Sequence, residues 1–170
     1  ALGISVRVPH LYWVSMKGEA KRDYPASIGH QSSWYKEYPF IEDHFARVNT
    51  AMTRGTADIK IAVIHPIESY WVYDGPNDTS FEIRNEMDNR FAQLTDWLLF
   101  GTLDFDFVAE SLLPQLYGGA KDGFNIGKMK YDAVIVPALY NMRSTTLKAL
   151  EEFANNGGKV IFMGNIPNLV

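Results

Sequence analysis

Tyr131-Asp-Ala-Val-Ile-Val-Pro-Ala-Leu-Tyr-Asn-Met-Arg-Ser-Thr-Thr-Leu-Lys-Ala-Leu-Glu-Glu-Phe-Ala-Asn-Asn-Gly-Gly-Lys-Val-Ile-Phe-Met163 holds a complete strand–helix–strand unit. Tyr131 to Val136 is a short apolar run rich in β-branched residues, and Pro137 ends it, as expected of a buried strand. Ser144 stands where a helix cap belongs, Leu147, Leu150 and Phe153 recur on one helical face, and Gly157-Gly158 stops the helix. Lys159 to Met163 is the next strand. Two strands joined by a crossover helix run parallel, and a parallel sheet is covered on both faces.

The same alternation extends upstream. Ile59-Lys-Ile-Ala-Val-Ile64, bounded by Asp58 and Pro66, predicts a first parallel strand. Thr79 with Glu82 forms a capping box ahead of a helix whose Met87, Phe91, Leu94 and Leu98 make one apolar stripe, with Gly101 as its stop. Asp104-Phe-Asp-Phe-Val108 alternates as a half-buried or edge strand does. Glu110 to Leu116 predicts a short helix interrupted by Pro114, and Gly118 to Lys130 predicts turns around a small ribbon. Residues 56 to 170 therefore predict a flavodoxin-like or Rossmann-like three-layer α/β domain with a mainly parallel sheet. A doubly wound domain usually covers its last strand with a further helix, so the reading expects this domain to be cut short at Val170.

Residues 1 to 55 read differently, as a strand–loop–helix arm. Ile4-Ser-Val-Arg-Val8 is strand-like and ends at Pro9. Met16 to Ser33 shows neither helical nor strand period; its Lys17, Glu19, Lys21, Arg22 and Asp23, followed by Pro25 and Gly29, predict a long loop. Such loops are often functional. Ile41, Phe45, Val48 and Met52 then predict a helix starting near Tyr38, with Pro39 in its first turn and Gly55 beyond its end.

Composition removes several function classes. Over 170 residues the chain is 46% hydrophobic, which is a globular balance. Its net charge of −4 argues against nucleic acid as a partner, because that affinity rests on clustered positive charge. There is no cysteine, hence no disulfide, thiolate metal site or thiol nucleophile. The longest apolar runs fall far short of the roughly 20 residues of a membrane span. No signal peptide is visible and no Met stands first, which leads us to expect a processed product or an excised fragment.

Two stretches carry candidate binding residues. The first follows the Ile59–Ile64 strand: His65-Pro-Ile-Glu-Ser-Tyr-Trp-Val-Tyr-Asp-Gly-Pro-Asn77. Ligands of open α/β sheets bind beyond the carboxyl ends of strands, which suits this position. A phosphate cradle needs several glycines leading into a helix, and this loop has one glycine and three aromatics. Aromatics beside Glu68 and Asp74 suit a sugar; equally, Tyr70, Trp71 and Tyr73 suit packing onto a neighbouring domain. The second stretch, Pro9 to Trp34, holds His10, Tyr12, Trp13, His30 and Trp34 and reads either as one loop of a barrel active-site face or as a solvated surface loop. His10, His30, His44 and His65 show no metal-ligand spacing, and no Gly-x-Ser-x-Gly occurs, so neither a metal nor a hydrolase elbow is expected.

Lys60-Ile-Ala-Val-Ile-His-Pro66, Asp104-Phe-Asp-Phe107, Tyr131-Asp-Ala-Val-Ile-Val-Pro137 and Leu150-Glu-Glu-Phe-Ala-Asn-Asn-Gly-Gly-Lys-Val-Ile161 together resemble the class I glutamine-amidotransferase-like domain that follows the (β/α)8 barrel of bacterial β-galactosidases, the trimerisation domain. His65-Pro-Ile-Glu-Ser-Tyr-Trp71, and Met16 to Pro25 through Trp34 to Arg54, resemble large glycosidases of the α-L-rhamnosidase kind, where the last barrel strand, its loop and its helix precede such a domain. The resemblance implies residues 1 to 55 as the end of a catalytic barrel and 56 to 170 as a non-catalytic accessory domain. It implies a parent glycoside hydrolase acting on glycans with two carboxylates on earlier strands, possible subunit association, and an exported or periplasmic setting. It also implies His10, Trp13, Trp34, Glu68, Trp71 and Asp74 as substrate-binding candidates, with no cofactor. Without a cysteine, amidotransferase chemistry itself is excluded. The alternative reading is a self-sufficient flavodoxin-like domain for a nucleotide or flavin.

Overall fold

A computed structural model describes residues 4, 6–10, 12, 13, 15–19 and 28–170. The chain forms two compact units, Ala1–Ala57 and Asp58–Val170. In the first unit the described part of the strand-like opening, Ile4 and Val6 to Val8, makes no strand. An isolated β-run has no ladder to satisfy its backbone groups, so alternation alone does not fix it. Arg7 is tied instead to helix α1 (Tyr38–Met52): its guanidinium donates to the Tyr38 hydroxyl, pairs with Glu42 and lies 4.5 Å from the Phe45 ring centre. Pro39 falls in the first turn as expected, but no α1 residue is buried, so the predicted stripe of Ile41, Phe45, Val48 and Met52 faces outward. Lys21, Arg22, Asp23 and Pro25 of the predicted loop lie outside the described residues.

The second unit is mixed α/β. Four parallel strands, β1 (Ile61–Ile64), β2 (Phe105–Val108), β5 (Ala133–Val136) and β6 (Lys159–Phe162), form a sheet in the order β2-β1-β5-β6. Ile61 pairs with Phe105 on one side and with Ala133 on the other, and Ala133 pairs in turn with Lys159. A second, two-stranded antiparallel sheet comprises β3 (Phe124–Ile126) and β4 (Met129–Tyr131), the ribbon expected between Gly118 and Lys130. Strand β2 lies at the sheet edge, one of the two placements its alternation allows.

Alternation along the central strands sorts their side chains onto two faces. Val63 and Ile135 point toward helix α3 (Asn77–Phe100) and meet its Leu94 and Leu98. Ala62, Ile64, Val134 and Val136 point the other way, onto Leu150 and Phe153 of helix α5 (Ser144–Asn155) and onto Phe124 and Tyr131 of the ribbon. The edge strand β6 is less covered, with Ile161 and Phe162 each about two-fifths exposed. Tyr131 also ties the ribbon to the sheet edge by donating its hydroxyl to Asp106 at 2.9 Å.

Three local expectations are corrected. The stretch after β1 is not all loop, because Ile67–Val72 forms a short helix, α2. Helix α3 opens at Asn77 rather than at a Thr79–Glu82 capping box: Pro76 is its N-cap, and the Thr79 hydroxyl donates to the Pro76 carbonyl inside the first turn. Proline has a fixed φ near that of a helix and no N–H to satisfy, which pre-sets this entry. Ser144 is the first residue of α5, not its cap; Arg143 occupies the cap position and makes no side-chain cap bond. Between β2 and the ribbon, a 3-10 turn (Glu110–Leu112) leads into a one-turn helix, α4 (Leu113–Leu116), with Pro114 in its first turn.

Gly158 marks the tightest approach in the main core. A Cβ there would lie 2.3 Å from the Phe153 ring, which is tilted against Phe124 with centres 5.4 Å apart and is almost fully buried. Gly158→Ala is expected to lower stability by about 1–3 kcal/mol through forced repacking, read as a shifted urea midpoint with unchanged slope.

Candidate functional site

In this sheet the chain leaves β1 for β2 on one side and later crosses to β5 on the other. The crevice beyond the carboxyl ends of β1 and β5 is therefore the place where an open α/β sheet takes a ligand. It is built by α2, which follows β1, by the turn Pro137 to Arg143, which follows β5, and by Glu110, two residues past β2.

Its polar groups are turned on one another. Ser69 of α2 is buried; its hydroxyl donates to Asn141 Oδ1 at 2.7 Å and accepts from the backbone N–H of Tyr140 at 3.1 Å and of Asn141 at 3.3 Å. One donor and two acceptors exhaust a hydroxyl. The carboxylate of Glu68 accepts both of its bonds from Arg143 Nε, at 2.8 and 2.9 Å. The rings of Tyr73 and Tyr140 meet edge to face with centres 4.9 Å apart. The segment after β6 closes the far side: Met142 N–H donates to Leu169 and Asn168 N–H to Tyr140.

Glu110 is the most unusual member. Only 2% exposed, it accepts the Arg143 backbone N–H at 2.8 Å and so satisfies a free donor at the start of α5. Burial pushes its carboxyl above the usual range; the Thr146 hydroxyl and the Arg143 N–H oppose that rise, and the Glu68 charge adds to it. Thr146 is fully buried, and its hydroxyl, although it favours the charged Glu110, reaches full hydrogen-bond geometry with no described atom. The carboxylate is thus only partly compensated.

This arrangement limits the groups the crevice offers to a ligand. Acyl transfer needs backbone N–H groups free to hold an oxyanion, and on the turn after β5 the Tyr140 and Asn141 N–H groups are spent on Ser69, that of Met142 on Leu169 and that of Arg143 on Glu110. A helix N-terminus is a ready anion site, but at the start of α5 Glu110 already accepts the Arg143 N–H, so a phosphate there meets a carboxyl group. Among the described residues no group of three or more His, Asp or Glu is placed to hold a metal ion, and no helix is long and apolar enough to cross a membrane.

No known protein family, curated protein or solved structure matches the chain. The glycosidase resemblance accordingly rests on the residues quoted for it.

The predicted binding residues fall in both units. In the first, His10 is exposed, Trp34 is half exposed and the Trp13 carbonyl accepts from Gln31 Nε2 at 2.9 Å. Nearby, the Tyr12 ring occupies the space where a Gly29 side chain would stand and its hydroxyl bonds to His30 Nδ1 at 2.8 Å. In the second unit Glu68 and Asp74 are engaged by different arginines, Arg143 and Arg84, and Trp71 is 61% exposed. Sequence reasoning missed Ser69, Glu110, Arg143 and Thr146 as members of the crevice. One signal was available for Glu110: a carboxylate standing just past the carboxyl end of a parallel strand.

Two variants probe this network. Ser69→Ala strands the Tyr140 and Asn141 N–H groups and is expected to cost about 1–3 kcal/mol in denaturant unfolding. For Glu110, a folded-state pKa raised above the ordinary 4.5 means that the native state favours the protonated form. Its contribution is full below that value and fades as pH rises through the folded pKa. Glu110→Gln, which stays neutral, is expected to gain stability relative to the parent as pH rises from acidic to neutral; a gap independent of pH would contradict this.

Proposed function

We propose that the chain is a non-catalytic accessory piece of a glycoside hydrolase: the end of a catalytic (β/α)8 barrel in residues 1 to 55, followed by a flavodoxin-like, class I glutamine-amidotransferase-like domain in residues 56 to 170. Its role is to support the barrel and subunit association in a glycan-degrading enzyme. The observation that carries the non-catalytic part is the self-satisfied crevice. Where related chemistry would need a nucleophile and free oxyanion donors, Tyr140 and Asn141 supply neither, because Ser69 consumes their N–H groups. The strand order supports the fold assignment, since β2-β1-β5-β6 equals the first four positions of the flavodoxin order 2-1-3-4-5. The order of motifs along the chain supports the parent enzyme.

The alternative of a self-sufficient nucleotide or flavin domain has less support. A phosphate at the start of α5 would have to displace Glu110 and sit beside Glu68. The one arginine there, Arg143, is already engaged by Glu68.

Three measurements test the reading. The chain alone is expected to show no turnover of aryl-glycosides, and robust hydrolysis would overturn it. Titration with flavin mononucleotide is expected to leave the flavin fluorescence unchanged; saturable quenching would favour the alternative. The coding sequence ahead of Ala1 is expected to specify roughly 200 or more barrel residues, and an initiation codon directly before it would remove the barrel from the proposal.

A further inference from the structure

Next to the closed crevice, on the α3 face of the sheet, lies a recess of about 250 Å³ lined by His65, Pro66, Ile67, Tyr70, Met87, Asp88 and Phe91. Its construction follows from the chain. His65 is the first residue past β1, where its backbone N–H donates to Val108 at 2.9 Å and anchors the ring at the sheet end. The imidazole is held edge to face between Phe91 and Phe107, with centres 5.2 and 5.8 Å away. Tyr70 comes from α2, and Met87, Asp88 and Phe91 come from consecutive turns of α3.

Three polar groups reach this apolar recess, and all three are uncommitted. Among the described residues the His65 ring nitrogens, the Tyr70 hydroxyl and the Asp88 carboxylate make no hydrogen bond or ion pair. They differ in this from Ser69, Glu68 and Glu110 close by, which are all engaged. Burial lowers the His65 pKa, so at neutral pH the ring is uncharged and offers one donor and one acceptor. The cations of the adjoining α3 turns are engaged, Arg90 by Glu86 and Arg84 by several partners. Arg84 lies 6.0 Å from the Tyr70 ring centre, while its three nitrogens bond to Asp74, Asn77 and the Ser80 carbonyl. Arg84 is thus a positioning residue for the Tyr70 ring.

We propose that this recess is a binding site for one neutral sugar ring. The apolar floor and the Tyr70 face receive the C–H face of a pyranose, whose partly positive hydrogens suit the negative face of an aromatic ring. The Asp88 carboxylate and the His65 and Tyr70 polar atoms take up hydroxyl groups. The chemistry disfavours two other common occupants. An anionic ligand meets an acidic group and no available cation. A dinucleotide or flavin is too large, since drug-sized sites begin at about 300 Å³. This inference rests on the recess alone and holds whether or not the chain supports a barrel.

The test is a titration of the isotope-labelled chain, followed by NMR, with methyl glycosides of neutral hexoses; a hexuronate, a hexose phosphate and tetramethylammonium serve as charged probes. At least one neutral glycoside is expected to shift the His65, Tyr70 and Phe91 signals saturably in the millimolar range, with the charged probes weaker. Tyr70→Phe keeps the ring under Arg84, and Asp88→Asn keeps the shape of an exposed side chain, so both retain the parent spectrum. Each is expected to weaken binding about tenfold, the worth of a hydrogen bond to or from a charged or well-aligned group. Absence of saturable shifts with every neutral glycoside, tighter binding of any charged probe, or binding unchanged in both variants would each overturn the proposal. None of these results bears on glycoside turnover, the quantity that tests the accessory role.

Discussion

A single carboxylate, Glu110, governs the functional end of the second unit. Helix α5 begins with free backbone donors and has no local side chain to take them up, since Arg143 stands at its cap position and Ser144 is already inside the helix. The partner arrives from the far side of the sheet, from the turn after β2, and is buried in doing so. One interaction therefore links the edge strand, the start of the last helix and the turn after β5. It also uses the positive end of the helix dipole internally, where other α/β domains leave it for an anion.

From that constraint the rest of the crevice follows. With the helix start filled, the turn Pro137 to Arg143 packs down onto α2, where Ser69 saturates its backbone and Glu68 collects the Arg143 side chain. The result is a wall of mutually satisfied groups rather than an opening. Such a wall suits rigidity, which the proposed supporting role requires. The neighbouring recess has the opposite character, with uncommitted polar atoms over an apolar floor.

Much of this was legible in the residues. The strands of the sheet and the stripe of Met87, Leu94 and Leu98 follow from periodicity, because burial imposes the repeat that the sequence displays. Helix starts were less legible: Thr79 and Ser144 have the right chemistry for caps, but Pro76 and the distant Glu110 took those roles. Local propensity contains no information about a partner more than thirty residues away. The same limit explains the site. Glu68 and Asp74 were recognisable as polar residues in a binding position, whereas their capture by Arg143 and Arg84 depends on tertiary geometry. Ile4 and Val6 to Val8 show the limit for strands, since alternation states a preference and only a neighbour makes a ladder.

The order β2-β1-β5-β6 also sets a schedule for the nascent chain. The central strand β1 precedes both of its neighbours in the chain, and the second of them, β5, lies beyond the whole of α3, β2 and the ribbon. Until that neighbour emerges, Ile61 to Ile64 has one edge unpaired and its apolar side chains half covered. The ribbon β3–β4 and the β5–α5–β6 unit, by contrast, close over shorter stretches of chain. Pairing between β1 and β5 is therefore a long-range contact of the kind that slows folding, and until it forms the apolar strand β1 presents an open edge to other chains.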